Sequence, residues 1–169
     1  MAQSTTSPAG SPPTDVRALL AYNTDDEAVD DWAPKPLPTA WYQGKILRHE
    51  FLRAKNERQT PYVRYHFIAT GLAPGVEIEA EVPDDVSKKN LRKDLFITPA
   101  AMKSLNKFLN GVLGVQQGRS FDDRIADCKG TEVCFKVTAR QSPNDEDITF
   151  YDVGMVIAAE AWDAEAMAA

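Results

Sequence analysis

Between residues 41 and 157 the chain switches repeatedly between short alternating apolar stretches and polar turns. Residues 41–52, rich in aromatic and β-branched side chains, predict a long first strand with Gly44 as an internal bulge or bend. Residues 53–60 are polar and turn-like. Residues 62–70 predict a second strand, with Val63, Tyr65 and Phe67 on one face and Tyr62, Arg64 and His66 on the other. A turn at 71–75 leads to strict alternation over 76–82, where Val76, Ile78, Ala80 and Val82 would point inward. That pattern predicts a third strand in a hairpin with the second. Residues 83–94 read as a polar connector. Thr98 and Pro99 read as N-cap and first helical residue of a helix over 99–113, with Met102, Leu105, Phe108, Leu109, Val112 and Leu113 at helical spacing and Gly114 as its stop. Residues 116–130 read as a connector with a short turn anchored by Phe121 and Ile125. Two further alternating stretches, 131–139 and 148–157, predict a closing hairpin around a turn at 142–147.

The order is β-β-β-α-β-β. It predicts a mainly β fold: a five-stranded OB-like Greek-key barrel with one helix between strands 3 and 4. A long first strand that bends at a glycine suits a strand shared by both halves of such a barrel. The flanks differ from this core. Residues 1–14 are Pro/Ser/Thr-rich, residues 23–31 carry five acids, and prolines stand at 34, 36 and 38. Residues 1–38 therefore read as a flexible acidic arm, residues 39–157 as the OB-like domain and residues 158–169 as an acidic tail.

Composition narrows the chemistry. The 169 residues carry a net charge of -6, with a mean hydropathy of -0.38. No apolar run suggests a membrane span, and the first thirteen residues lack an apolar signal core, so a cytoplasmic protein is expected. Two cysteines, Cys128 and Cys134, exclude a disulfide scaffold and a four-cysteine zinc site, and two histidines, His49 and His66, leave few metal ligands. His49 and His66 fall on neighbouring strands and could meet, but a bare two-histidine site is poor for zinc. There is no Gly-rich phosphate loop, no Gly-x-Ser-x-Gly elbow and no His-Glu-x-x-His. The acidic pairs Asp84/Asp85, Asp122/Asp123 and Asp145/Asp147 fall in expected turns, where such residues cap and turn the chain. The expectation is a protein that is not an enzyme and holds no cofactor or metal.

Charge is segregated. Residues 39–110 hold twelve basic side chains against eight acids, whereas the segments on either side are acidic. Within 45–64, Lys45, Arg48, Arg53, Lys55, Arg58 and Arg64 face only Glu50 and Glu57. These cations mix with Trp41, Tyr42 and Phe51 on the first strand, and Tyr62, Arg64 and His66 share one face of the second. Proteins that bind single strands stack bases on exposed aromatics while Lys and Arg follow the phosphates. Candidate nucleic-acid contacts are therefore Trp41, Lys45, Arg48, Arg53, Lys55, Arg58, Tyr62, Arg64 and His66, with Lys88, Lys89, Arg92 and Lys93 extending the track. The alternating Glu77, Glu79 and Glu81 would have to face away from it. An acidic tail beside a basic groove can compete for the groove or dock partner proteins, and Glu160, Trp162, Asp163 and Glu165 have the acid-plus-aromatic makeup for that.

The stretch Trp41-Tyr-Gln-Gly-Lys-Ile, then Tyr62-Val-Arg-Tyr-His-Phe, then Leu91-Arg-Lys-Asp-Leu-Phe-Ile-Thr-Pro before an apolar helix, resembles phage-encoded single-stranded DNA-binding proteins of the OB-fold type. The resemblance covers about residues 38–169. It implies sequence-tolerant binding of single-stranded DNA in replication, recombination or repair, without catalysis and in the host cytoplasm. It implies partners among replication or recombination proteins through the acidic tail, and a homo-oligomer is compatible with it. The tail ends in Met167-Ala-Ala, not in an aromatic after a run of acids as in bacterial members. RNA is the other ligand the residues admit. The alternative function is a protein–protein interaction or virion assembly accessory module on the same barrel.

Overall fold

The computed structural model describes residues 15–21, 35–145 and 148–168. Two compact units divide the chain, the first ending at Lys35 and the second beginning at Pro36. In the first, the short helix α1 (Val16–Leu20) starts at Asp15, whose carboxylate accepts the Arg17 N–H. The rest of the expected arm, including the acidic run and Trp32, lies outside the described residues.

The second unit contains five antiparallel strands: β1 (Ala40–Arg53), β2 (Pro61–Leu72), β3 (Leu91–Phe96), β4 (Glu132–Gln141) and β5 (Thr149–Ala158). They form one sheet in the order β3-β2-β1-β4-β5. β1 pairs with β2 over most of its length and with β4 through residues 40–45. The two ladders overlap at Gly44, where the register with β2 slips. A Cβ on Gly44 would lie 1.8 Å from the Ile68 carbonyl oxygen. The bulge expected at this glycine is present, because only a residue without Cβ admits that carbonyl.

Inward positions build one core. Tyr42, Ile46, Val63, Tyr65, Phe67, Leu91, Val133, Phe135 and Val137 are buried, as the alternation of β2 and β4 predicts. Helix α2 (Met102–Leu113) buries Leu105, Phe108, Leu109 and Val112 against it. Thr98 accepts the Ala101 N–H as the expected cap, but the first turn, Pro99–Ala101, is a 3-10 turn and the α-helix begins after it. Residues 36–38, assigned to the arm from sequence, belong to this unit. Leu37 is buried, its N–H donates to the Tyr151 hydroxyl at 3.0 Å, and the Tyr42 hydroxyl donates to the Pro38 carbonyl at 2.6 Å. Burial and the neighbouring Tyr151 push the Tyr42 hydroxyl up to about 12, so it stays a neutral donor.

Several expectations are corrected. Residues 76–82 form no strand. The third strand is β3, which begins in the last residues of the segment read as a polar connector and runs on to Phe96, and it pairs with β2 from Phe67↔Leu91 to Tyr62↔Phe96. Val76, Ile78 and Val82 do tuck partly inward, so their alternation marks half-buried loop positions. Leu91, Lys93 and Leu95 take the inner face of β3, and the lysine at the middle position disguised the pattern. Part of the expected connector at 116–130 is a helix, α3 (Phe121–Asp127), capped by Ser120, whose hydroxyl accepts the Asp123 N–H.

The barrel is also not closed. Among the described residues no backbone ladder joins β3 to β5, which are the two edges of the sheet. They come close, and the Lys93 ammonium spans the gap to the carbonyls of Val153 at 3.2 Å and Gly154 at 2.9 Å. Burial holds the Lys93 pKa below the usual lysine range. One side chain thus satisfies two carbonyls of β5 at the open seam. No described helix is long and apolar enough to cross a membrane.

Replacing Gly44 with Ala should cost about 3 kcal/mol, the upper end for overpacking a close-packed site. Urea unfolding monitored by far-UV circular dichroism measures it, and a loss within error of zero would show that β1 and β2 can separate at the bulge without penalty.

Candidate functional site

The register of β1, β2 and β3 turns the outer face of the sheet into three cross-strand rows. Antiparallel partners lie on the same face. Leu52, Tyr62 and Phe96 form the first row, Glu50, Arg64 and Asp94 the second, and Arg48, His66 and Arg92 the third. An aromatic row therefore stands beside a mixed charged row, and that beside a basic one.

Each row has internal geometry. Tyr62 and Phe96 meet edge-on with centroids 5.9 Å apart, and Phe96 is 48% exposed. The Arg64 guanidinium lies over the Tyr62 ring, 5.6 Å from its centroid. Its Nε and Nη2 donate to the two oxygens of Asp94 at 2.8 and 3.0 Å, a fork-to-carboxylate pair that fixes its plane. The Asp94 pair raises the Arg64 pKa further. Glu50 is held from two sides, by His66 Nε2 at 2.8 Å and Arg48 Nη1 at 3.0 Å, and these hydrogen bonds keep its carboxyl below the usual range. Arg92 is exposed and has no ion pair among the described residues.

Two hollows flank the rows. A shallow one of about 390 Å³ opens beside Phe96 and the loop after β1, lined by Asn56, Thr60 and Thr98. A cleft of about 670 Å³ lies past β3, between Arg92 and Asp94 on one side and Arg140, Phe150, Tyr151 and Asp152 on the other. There Arg140 sits over the Phe150 ring at 5.2 Å and pairs with Asp152 at 2.7 Å.

Of the residues singled out from sequence, Arg48, Tyr62, Arg64, His66 and Arg92 come together in the rows. Lys55 and Arg58 are exposed in the loop between β1 and β2, next to the aromatic row, and Arg53 there donates to the Gln59 carbonyl. The remaining ones are elsewhere. Lys45 pairs across from Ile68 and Glu132 and lines a separate hollow of about 220 Å³. Lys88 lies in a 3-10 turn (Val86–Lys88) beside Asp85 at 3.6 Å, and Lys89 follows it, half-buried. Lys93, expected to extend a phosphate track, points inward and donates to two β5 carbonyls. His49 pairs with the inward Tyr65 while His66 faces outward, so the two histidines do not meet. Among the described residues no group of three metal-ligating side chains converges. Cys128 and Cys134 are both buried, and burial pushes the Cys128 thiol up to about 11.

Trp41 is already engaged. The chain after β5 makes a 3-10 turn (Ala159–Ala161) and a short helix, α4 (Ala164–Ala168). Trp162 between them packs on Trp41 with centroids 5.0 Å apart and donates Nε1–H to the Pro74 carbonyl at 2.8 Å. The expected acidic tail is thus folded back through its aromatic, leaving Glu160, Asp163 and Glu165 exposed.

Phe96, Arg140 and Phe150 escaped sequence analysis. Phe96 becomes visible once Leu91, Lys93 and Leu95 are assigned inward, because Arg92, Asp94 and Phe96 must then face out. Arg140 and Phe150 follow from the hairpin register, where they are direct partners.

Trp162→Ala should lower stability by about 1–2 kcal/mol, the sum of one ring pair and one hydrogen bond. It should also red-shift the Trp41 emission, and an unchanged spectrum would show that the ring contact does not persist in solution. Neither protein-family models nor curated proteins give a match to this chain.

Proposed function

We propose that this protein binds single-stranded nucleic acid, DNA in the first instance, across the outer face of β1, β2 and β3. The observation that carries the proposal is the adjacency of the rows: half-buried Tyr62 and exposed Phe96 lie directly beside Arg64, and one row further on stand Arg48, His66 and Arg92. Bases stacked on the rings would leave their phosphates over the basic row. Lys55 and Arg58 add charge at the aromatic end. The chain order supports an OB-like reading. β1 is shared between β2 and β4, the edge strands β3 and β5 face each other, and α2 lies between β3 and β4, so a single further ladder would close the barrel. The role in replication, recombination or repair, and a part for the exposed acids of the C-terminal segment in recruiting partner proteins, belong to the same proposal.

Fluorescence anisotropy with labelled single-stranded and double-stranded oligonucleotides at several salt concentrations tests it. The single strand should bind more tightly than the duplex. Tyr62→Ala and Phe96→Ala should each weaken binding by about 1–3 kcal/mol, one lost stacking platform. Equal affinity for both forms, or aromatic variants that bind like the parent, would overturn it in favour of a protein partner for this face.

A further inference from the structure

We propose that Arg48 and His66 form a phosphate subsite whose resident anion is Glu50, so that nucleic acid binds there by displacing an internal carboxylate. The inference rests on the nucleic-acid reading and adds its regulation. The Glu50 oxygens are held by two different groups, Oε1 by Arg48 at 3.0 Å and Oε2 by His66 at 2.8 Å. A phosphodiester presents the same kind of edge, two anionic acceptor oxygens on one centre. The places now taken by the carboxylate oxygens therefore mark where phosphate oxygens would be received.

The neighbouring pair behaves differently. Asp94 receives both N–H groups of a single guanidinium, and that guanidinium is mostly covered, with a side-chain exposure of 19%, and stacked on Tyr62. It braces the aromatic row through the Tyr62 ring and the Asp94 carboxylate. Arg48 and Glu50 are 55% and 39% exposed, and exposed ion pairs are weak, so Arg48 exchanges one anion for another at little cost, while His66, 14% exposed, stays fixed as the second donor. When Glu50 withdraws, Arg48, His66 and Arg92 remain as an unopposed basic row. Glu50 thereby sets a threshold: it lowers affinity for isolated phosphates and yields to a strand that also stacks on Tyr62 and Phe96.

Glu50→Gln removes the competitor while keeping the side-chain length. It should tighten single-stranded oligonucleotide binding by about 3–10-fold and steepen the plot of log affinity against log salt by about 0.7, one further phosphate contact on a single strand. Adding Arg48→Ala to Glu50→Gln should cancel both changes. Asp94→Asn removes the same unit of charge but should weaken binding, because Arg64 loses its brace. A Glu50→Gln protein that binds like the parent or more weakly, or an Asp94→Asn protein that gains as much, would overturn the subsite and leave only a general effect of net charge. A second readout separates this from failure of the nucleic-acid reading. Inorganic phosphate added to Glu50→Gln should shift the His66 imidazole NMR signals while those of His49, the other histidine of the chain, stay put. A His66 shift without oligonucleotide binding by the parent keeps the phosphate site and rejects nucleic acid as its ligand. No shift and no binding rejects both.

Discussion

The whole sheet depends on β1 being shared between two neighbours, and the approach of the Ile68 carbonyl to Gly44 is what permits it. A strand of fourteen residues cannot stay straight and keep both ladders in a curved sheet. The bulge divides β1 functionally. Its first part, beside β4, presents Trp41 to the C-terminal segment, and its second part, beside β2, presents Arg48, Glu50 and Leu52 to the rows. Residues that lie close together in sequence thus serve two separate surfaces.

The same sheet leaves a seam between β3 and β5 that is handled by side chains. Lys93 donates to two β5 carbonyls, and α2 approaches so closely at Gly111 that a Cβ there would come within 2.7 Å of the Val156 oxygen. An open edge with free carbonyls invites pairing with another chain. Lysine capping and a helix laid alongside give β5 some of the protection that a ladder would provide. The seam is also where the outer face continues into the cleft beside Phe150, so the way the edge is closed shapes the surface available to a ligand.

On that surface the cations are largely spoken for. Arg64 is committed to Asp94, and Arg48 and His66 share Glu50. A face balanced in this way attracts phosphate less than its count of basic residues suggests, and it shifts the weight of recognition towards the rings of Tyr62 and Phe96. That balance is invisible in segment charge, because Asp94 comes from β3 and Glu50 from β1, each brought to β2 by register alone.

The local pattern was sufficient for the elements whose two faces differ clearly. The alternation of β2 and β4, the bulge at Gly44 and the apolar stripe of α2 were all legible, because each states which side chains must leave water. It misled at 76–82, where alternating Val and Glu satisfy a half-buried loop as well as a strand, and at 91–96, where an inward lysine broke the apolar run. Choosing between those two segments required knowing which one β2 could pair with. The candidate site divided along the same line. Tyr62, Arg64 and His66 were readable as one face of one strand. Their partners Phe96, Asp94, Arg92 and Glu50, the removal of Trp41 by Trp162, and the diversion of Lys93 into the seam were decided by tertiary structure. The amino-acid order determines which way a side chain points from its own strand; which charges and rings then lie opposite it depends on long-range register, set by packing the whole core at once.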